Sequence, residues 1–141
     1  MLGAPRNRSI RRKNMKERKF FICKNCGNVI AVLKDSGVKM MCCGEKMTEL
    51  KAGVEDAAHE KHVPVFEVEG SKVTVKVGSV EHPMQPEHSI QWIWVETKLG
   101  GQLAELAPGQ KPEATFELAE GDELIAVYEY CNLHGLWKAE A

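Results

Sequence analysis

Four of the chain's five cysteines fall inside one short stretch, as Cys23-Lys24-Asn25-Cys26-Gly27 and Met41-Cys42-Cys43-Gly44. The segment that carries them runs from Phe20 to about Lys51, and some thirty residues cannot bury a self-sufficient core. A unit of that size folds when a metal ion or disulfides staple it, so the four cysteines are candidate ligands. The odd cysteine total argues against a closed disulfide framework. A Cys23/Cys26 thiol-disulfide couple is the weaker reading, because no βαβ pattern surrounds it. Four thiolates suit a tetrahedral zinc or iron equally. Glycines after Cys26 and Cys43 relieve crowding where backbone amides must turn toward sulfur. The adjacent pair is the unusual feature. Neighbouring side chains in an extended strand point to opposite faces, so Cys42 and Cys43 can share an ion only across a bend, with a distorted tetrahedron expected.

The fifth cysteine opens Cys131-Asn132-Leu133-His134-Gly135-Leu136-Trp137-Lys138, and four more histidines lie upstream at His59, His62, His82 and His88. A thiolate and an imidazole three residues apart can converge on one ion, and imidazoles brought in by folding can complete its shell. His82 and His88 bracket a loop stiffened by Pro83 and Pro86, which lets one loop present both rings. His62 opens a strand at Val63-Pro64-Val65, whereas His59 lies in an alanine-rich stretch, Ala52 to Glu60, that reads as a solvated linker.

Beyond that linker the pattern is one of strands and turns. Val63 to Val68 and Val73 to Val77 flank a hairpin signal at Glu69-Gly70-Ser71; Ile90 to Thr97 is a longer strand; Thr115 to Leu118 and Leu124 to Tyr130 flank Glu120-Gly121-Asp122. Prolines 83, 86, 108 and 112 mark loops, and the absence of a convincing helical period predicts an antiparallel β-sandwich. Trp92, Trp94 and Trp137 are expected in the sandwich core or a dimer contact. Residues 1–19 crowd eight Arg and Lys among few apolar residues and are expected to be a disordered basic leader, or alternatively an arm for a polyanion. The formal charge of -1 argues against a general nucleic-acid surface. No apolar run approaches the ~20 residues that cross a bilayer and no secretory signal opens the chain, so a cytoplasmic protein without membrane contact is expected.

Taken together, Glu60-Lys61-His62-Val63-Pro64-Val65, His82-Pro83-Met84 with His88, and Cys131 to Lys138 resemble the signature segments of superoxide reductases. With the two N-terminal cysteine pairs the chain is similar to the desulfoferrodoxin family, the two-iron form, over residues 20–138. The resemblance implies an all-β protein with a desulforedoxin-like iron domain at 20–51 and an immunoglobulin-like catalytic sandwich at 52–141, to which the basic leader 1–19 is an addition. It implies two irons per chain. One is tetrahedral on Cys23, Cys26, Cys42 and Cys43; the other is square-pyramidal, with His62, His82, His88 and His134 equatorial and Cys131 axial. It further implies one-electron reduction of superoxide to hydrogen peroxide, re-reduction by a small donor such as rubredoxin, and a homodimer. Lys61 would attract the anion and manage proton supply, and Glu60 would be the carboxylate that can occupy the sixth position in the ferric state. His59 matches no family ligand, and Ser89 stands where an aromatic residue often follows the histidine.

Two other readings compete. A late Cys-x-x-His loop on a β-sandwich also suits a blue-copper electron carrier, but no methionine follows His134 and four imidazoles exceed what such a site uses. A zinc-stabilised interaction module accounts for the cysteines and leaves the histidines idle.

Overall fold

The computed structural model describes residues 17–53 and 61–141; the leader up to residue 16, His59 and Glu60 lie outside the described residues. Contacts divide the chain into two compact units, Met1–Leu50 and Lys51–Ala141. Every strand pairing in both is antiparallel, and no helix occurs among the described residues. The fold is therefore all-β, as expected.

The first unit is built from very short strands. β1 (Phe20–Ile22) lies between β2 (Val29–Ala31) and β5 (Thr48–Glu49), and β3 (Met41–Cys42) and β4 (Glu45–Lys46) form a hairpin. Among its described residues the buried hydrophobic ones are Phe20, Cys23 and Met47, too few for a core of its own. Arg18 and Lys19, which the sequence pattern places in the basic leader, instead tie into this unit. Arg18 donates to the Val32 carbonyl at 3.0 Å, and Lys19 forms an ion pair with Asp35 at 2.9 Å. The sequence pattern misses this because both side chains read as solvated charge until β2 brings partners to them.

The second unit is a sandwich of two sheets. One has the order β10-β7-β6, from β6 (Pro64–Glu69), β7 (Lys72–Val77) and β10 (Glu113–Glu117). The other has the order β12-β11-β8-β9, from β8 (Ile90–Thr97), β9 (Gly100–Glu105), β11 (Leu124–Cys131) and β12 (Gly135–Glu140). Alternation along each strand turns one face inward, and the core gathers Val73, Val75 and Val77 from β7, Ile93 and Val95 from β8, Phe116 from β10 and Val127 from β11. The β6–β7 hairpin turns through Gly70-Ser71 with Gly70 at φ +60°, as the local signal predicts.

β9 begins with Gly100-Gly101, and a glycine is required at 101 because a Cβ there would sit 2.3 Å from the Trp94 indole lying over it. Two features differ from the sequence-based expectation. Trp92 and Trp94 are half-buried on the face of β8 opposite Ile93 and Val95, so they are not core, and Trp92 stacks on Tyr130 at 5.6 Å. Gly53, which reads as linker, is held against β12: its amide donates to the Leu136 carbonyl and its carbonyl accepts from Lys138, both at 2.9 Å.

Candidate metal centres

In the first unit the tight turn after β1 places Cys23 and Cys26 together. The Gly27 amide donates to the Cys23 carbonyl at 2.8 Å, and the Cys26 amide approaches the Cys23 sulfur at 3.5 Å. The β3–β4 hairpin supplies Cys42 and Cys43. The bend that the adjacent pair needs is Cys43 itself, at φ +53°, followed by Gly44 at φ +78°. Left-handed backbone at a cysteine is strained, and its presence here turns the second sulfur to the side of the first. All four sulfurs lie within 4.8 Å of one another. Cys26 and Cys42 sulfurs are 3.7 Å apart, and metal–sulfur bonds of about 2.3 Å at tetrahedral angles require about 3.8 Å. The residues thus fit a tetrahedral ion. The Cys26 amide holds the Cys23 thiol down at about 6, whereas hydrogen bonding to Cys23 and its neighbours pushes Cys43 up to about 12. Cys23 is thus the readier thiolate for metal capture, and the metal's own charge must ionise Cys42 and Cys43, which hydrogen bonding to their neighbours pushes up.

The second centre assembles from three separate places. His62 precedes β6, His82 and His88 come from the loop between β7 and β8, and Cys131 and His134 flank the β11–β12 turn. Ring centroids of His62, His82, His88 and His134 form a closed square, with successive sides of 4.8, 4.7, 5.1 and 4.6 Å and interplanar angles of 64° to 81°. His62 therefore sits opposite His88, and His82 opposite His134. The Cys131 sulfur lies 3.5 Å from His82 Nε2 and 3.7 Å from His134 Nδ1, fully buried.

A donor set of four imidazoles and one thiolate fits a divalent transition ion. Nitrogens held at about 2.1 Å and at right angles lie about 3.0 Å apart, and His62 Nε2 stands 3.1 Å from His134 Nδ1. His88 Nε2 is buried with no hydrogen-bond partner among the described residues, as expected of a nitrogen reserved for a metal. His82 Nδ1–H donates to the Pro83 carbonyl at 2.7 Å, which leaves Nε2 as the donor atom. Burial, with neighbouring imidazoles adding to it, lowers the His82 pKa to about 4 and keeps the ring neutral, the form a metal needs. Burial likewise pushes the Cys131 thiol up against the opposing amides of Leu133 and His134, and Glu129 pushes the same way. A metal entering here displaces that proton.

Residue type and spacing underrate two surroundings of this centre. Trp137 is not core: its indole stacks on His62 at 5.0 Å and 16°, and its Nε1–H donates to the His134 carbonyl at 3.1 Å. Glu129 is wholly buried and lies opposite Ile93 and Trp137 in the strand register, which its residue type does not suggest. Lys61 directly precedes His62 and is half-buried. Its carbonyl rests on Gly78, which is at φ +81°; a Cβ there would meet the Lys61 and Val80 oxygens at 2.6 Å. Gly78→Ala should cost about 2 kcal/mol from the left-handed backbone alone, and displacing Lys61 shifts His62 with it. Denaturant midpoints, read beside metal retention at the histidine centre, check this; an unchanged midpoint contradicts it.

Sequence and structure comparisons agree with this geometry. The sequence model of the desulfoferrodoxin N-terminal domain matches residues 15–50, and that of desulfoferrodoxin itself matches residues 54–140. A desulfoferrodoxin from Syntrophotalea carbinolica is 48% identical over 118 residues, spanning 84% of this chain and 92% of that protein. One from Nitratidesulfovibrio vulgaris is 47% identical over 119 residues, 84% of this chain and 93% of its own. Among solved structures, the superoxide reductase from Treponema pallidum superposes with a TM-score of 0.79 at 40% identity, covering 89% of this chain and all of that one. Four cysteines on a distorted turn, a square of histidines over a buried thiolate and matches along nearly the whole sequence lead to one assignment: the chain belongs to the desulfoferrodoxin family.

Proposed function

We propose that this protein is a superoxide reductase. The observation that carries the reading is the closed square of four imidazoles with the Cys131 sulfur on its core side. When bound there, ferrous iron supplies the single electron that, with two protons, converts superoxide to hydrogen peroxide. His62, His82, His88 and His134 would hold the metal without adding charge, and the thiolate of Cys131 would donate electron density to it. The sulfur is buried while His134 is exposed, which supports approach of a small anion from the histidine side. A blue-copper centre would use two imidazoles, and the four that converge here set that reading aside.

Lys61 is the proposed anion guide and proton manager. A unit charge ~4 Å from superoxide is worth ~1 kcal/mol in water and more beside protein. Its place next to His62 and the family resemblance support the role, and Glu60 is proposed as the carboxylate that covers the open position after turnover. Lys61→Ala should slow the bimolecular reaction about tenfold at low ionic strength and flatten its salt dependence, with both metals retained. Stopped-flow or pulse-radiolysis rates across a salt series test this; a full rate at low salt removes Lys61 from the mechanism.

The four-cysteine centre is proposed to occupy a separate domain at 20–51, to which Arg18 and Lys19 are tied, with catalysis at 52–141 and the basic leader ahead of both. A small protein such as rubredoxin is the proposed electron donor, and a homodimer the proposed assembly. Metal-ligand spacing of free cysteines supports a reducing, cytoplasmic setting. The function itself is tested by adding superoxide to the ferrous protein and measuring products. One peroxide per superoxide without oxygen evolution is expected, since the iron contributes the electron. Half a peroxide per superoxide with oxygen released means dismutation instead, and overturns the reading.

A further inference from the structure

Asn132 separates the two ligands of the last loop, yet its side chain is committed to the other ligand loop. Its Nδ2–H donates to the Glu87 carbonyl at 3.0 Å, and its Oδ1 accepts from the Ser89 amide at 3.0 Å. Those two backbone groups stand on either side of His88. The Asn132 amide adds a bond to the Ser89 carbonyl at 3.2 Å, while the amide and carbonyl of His88 are exchanged with Gln85 at 3.0 and 2.9 Å. The backbone around His88 is thus tied on both sides.

A register shift between Tyr130 and Cys131 makes this possible. It pairs Cys131 with Ile90 instead of Gln91, which draws Ser89 alongside Asn132. The His82 ring is oriented by the Pro83 carbonyl and the His62 ring by Trp137, and the His88 ring packs edge-on against His82 and His134. At His88 it is the backbone that carries the hydrogen bonds to the neighbouring loop.

We propose that Asn132 is a positioning residue for His88: by gripping the peptide groups on both sides of it, the carboxamide sets the spacing between the His82–His88 loop and the Cys131–His134 loop and closes the fourth corner of the square. The role rests on the metal-centre reading of the site and concerns how tightly that centre holds an ion, so it can be tested apart from superoxide chemistry.

Two near-isosteric variants of the full chain separate the bonds from the shape. Asn132→Leu removes both side-chain bonds. Asn132→Asp keeps the acceptor for the Ser89 amide and loses the donor to Glu87. In metal-free protein the Ser89 amide should exchange about fivefold faster or more in the leucine variant and stay protected in the aspartate variant. Loaded with Co(II), whose visible absorption reports each centre separately, the leucine variant should hold the ion at the histidine centre about 10- to 100-fold more weakly, with the four-cysteine centre unchanged. If the leucine variant loses Ser89 protection but binds Co(II) within twofold of the parent, the proposal is wrong. If Ser89 keeps its protection in the leucine variant, the carboxamide grip is not what holds the loop, and the proposal fails equally. A parent that binds Co(II) tightly yet does not reduce superoxide in its iron form removes the catalytic reading and leaves the Asn132 role intact.

Discussion

Cys131→Ser is expected to abolish superoxide reduction while the four-cysteine centre keeps its metal and its colour. The sulfur is the one soft donor of the histidine centre, and it is fully buried within 3.7 Å of both His82 and His134 donor nitrogens. A serine hydroxyl at this place stays protonated, is harder, and reaches less far, so the electron donation that the thiolate would supply to the metal is lost. Outer-shell changes at metal sites cost about 10- to 100-fold; loss of a direct ligand should exceed the upper figure. Single-turnover kinetics of the ferrous variant, with metal analysis of both centres, decide the matter. Retained reductase activity would falsify the axial-thiolate assignment. Loss of both metals would show instead that the substitution had unfolded the chain.

Cys23→Ser should have the complementary outcome: unfolding of residues 20–50 with the sandwich intact. Cys23 is the buried cysteine of the first unit, and only Phe20 and Met47 join it as buried hydrophobic residues among the described part of that unit. Two such side chains are too small a core to offset the entropy of ordering some thirty residues. Metal binding is therefore folding free energy here. The expected signs are a drop of one metal per chain and rapid proteolysis of the N-terminal unit, with unchanged Co(II) or iron spectra at the histidine centre. The sandwich keeps its own core of Val73, Val75, Val77, Ile93, Val95 and Val127. Protease resistance of the metal-free first unit would show that its short strands suffice without the ion.

Much of the fold is legible in the residues themselves, though unevenly. The hairpin at Gly70-Ser71, the strand Ile90–Thr97 and the need for a bend between Cys42 and Cys43 follow from local rules: turn chemistry, period-two alternation and opposed neighbouring side chains. The same rules do not show the close approach of the Trp94 indole to Gly101, which is a cross-strand matter. They misplace Arg18 and Lys19 for the same reason, as the partners Val32 and Asp35 lie 14 and 16 residues away.

The ligand set of the histidine centre shows the division most clearly. Spacing points to Cys131 with His134 and to His82 with His88, and the family resemblance supplies the rest. His62 and His134, 72 residues apart, meet at 3.1 Å only after two sheets have packed. Which rings stand opposite one another, the stacking of Trp137 on His62 and the grip of Asn132 around His88 have no signature in the chain. Sequence determined the donors and the strands because both are local properties of residue type and period. Tertiary structure alone decided their arrangement, since the distances between loops are set by sheet packing and strand register.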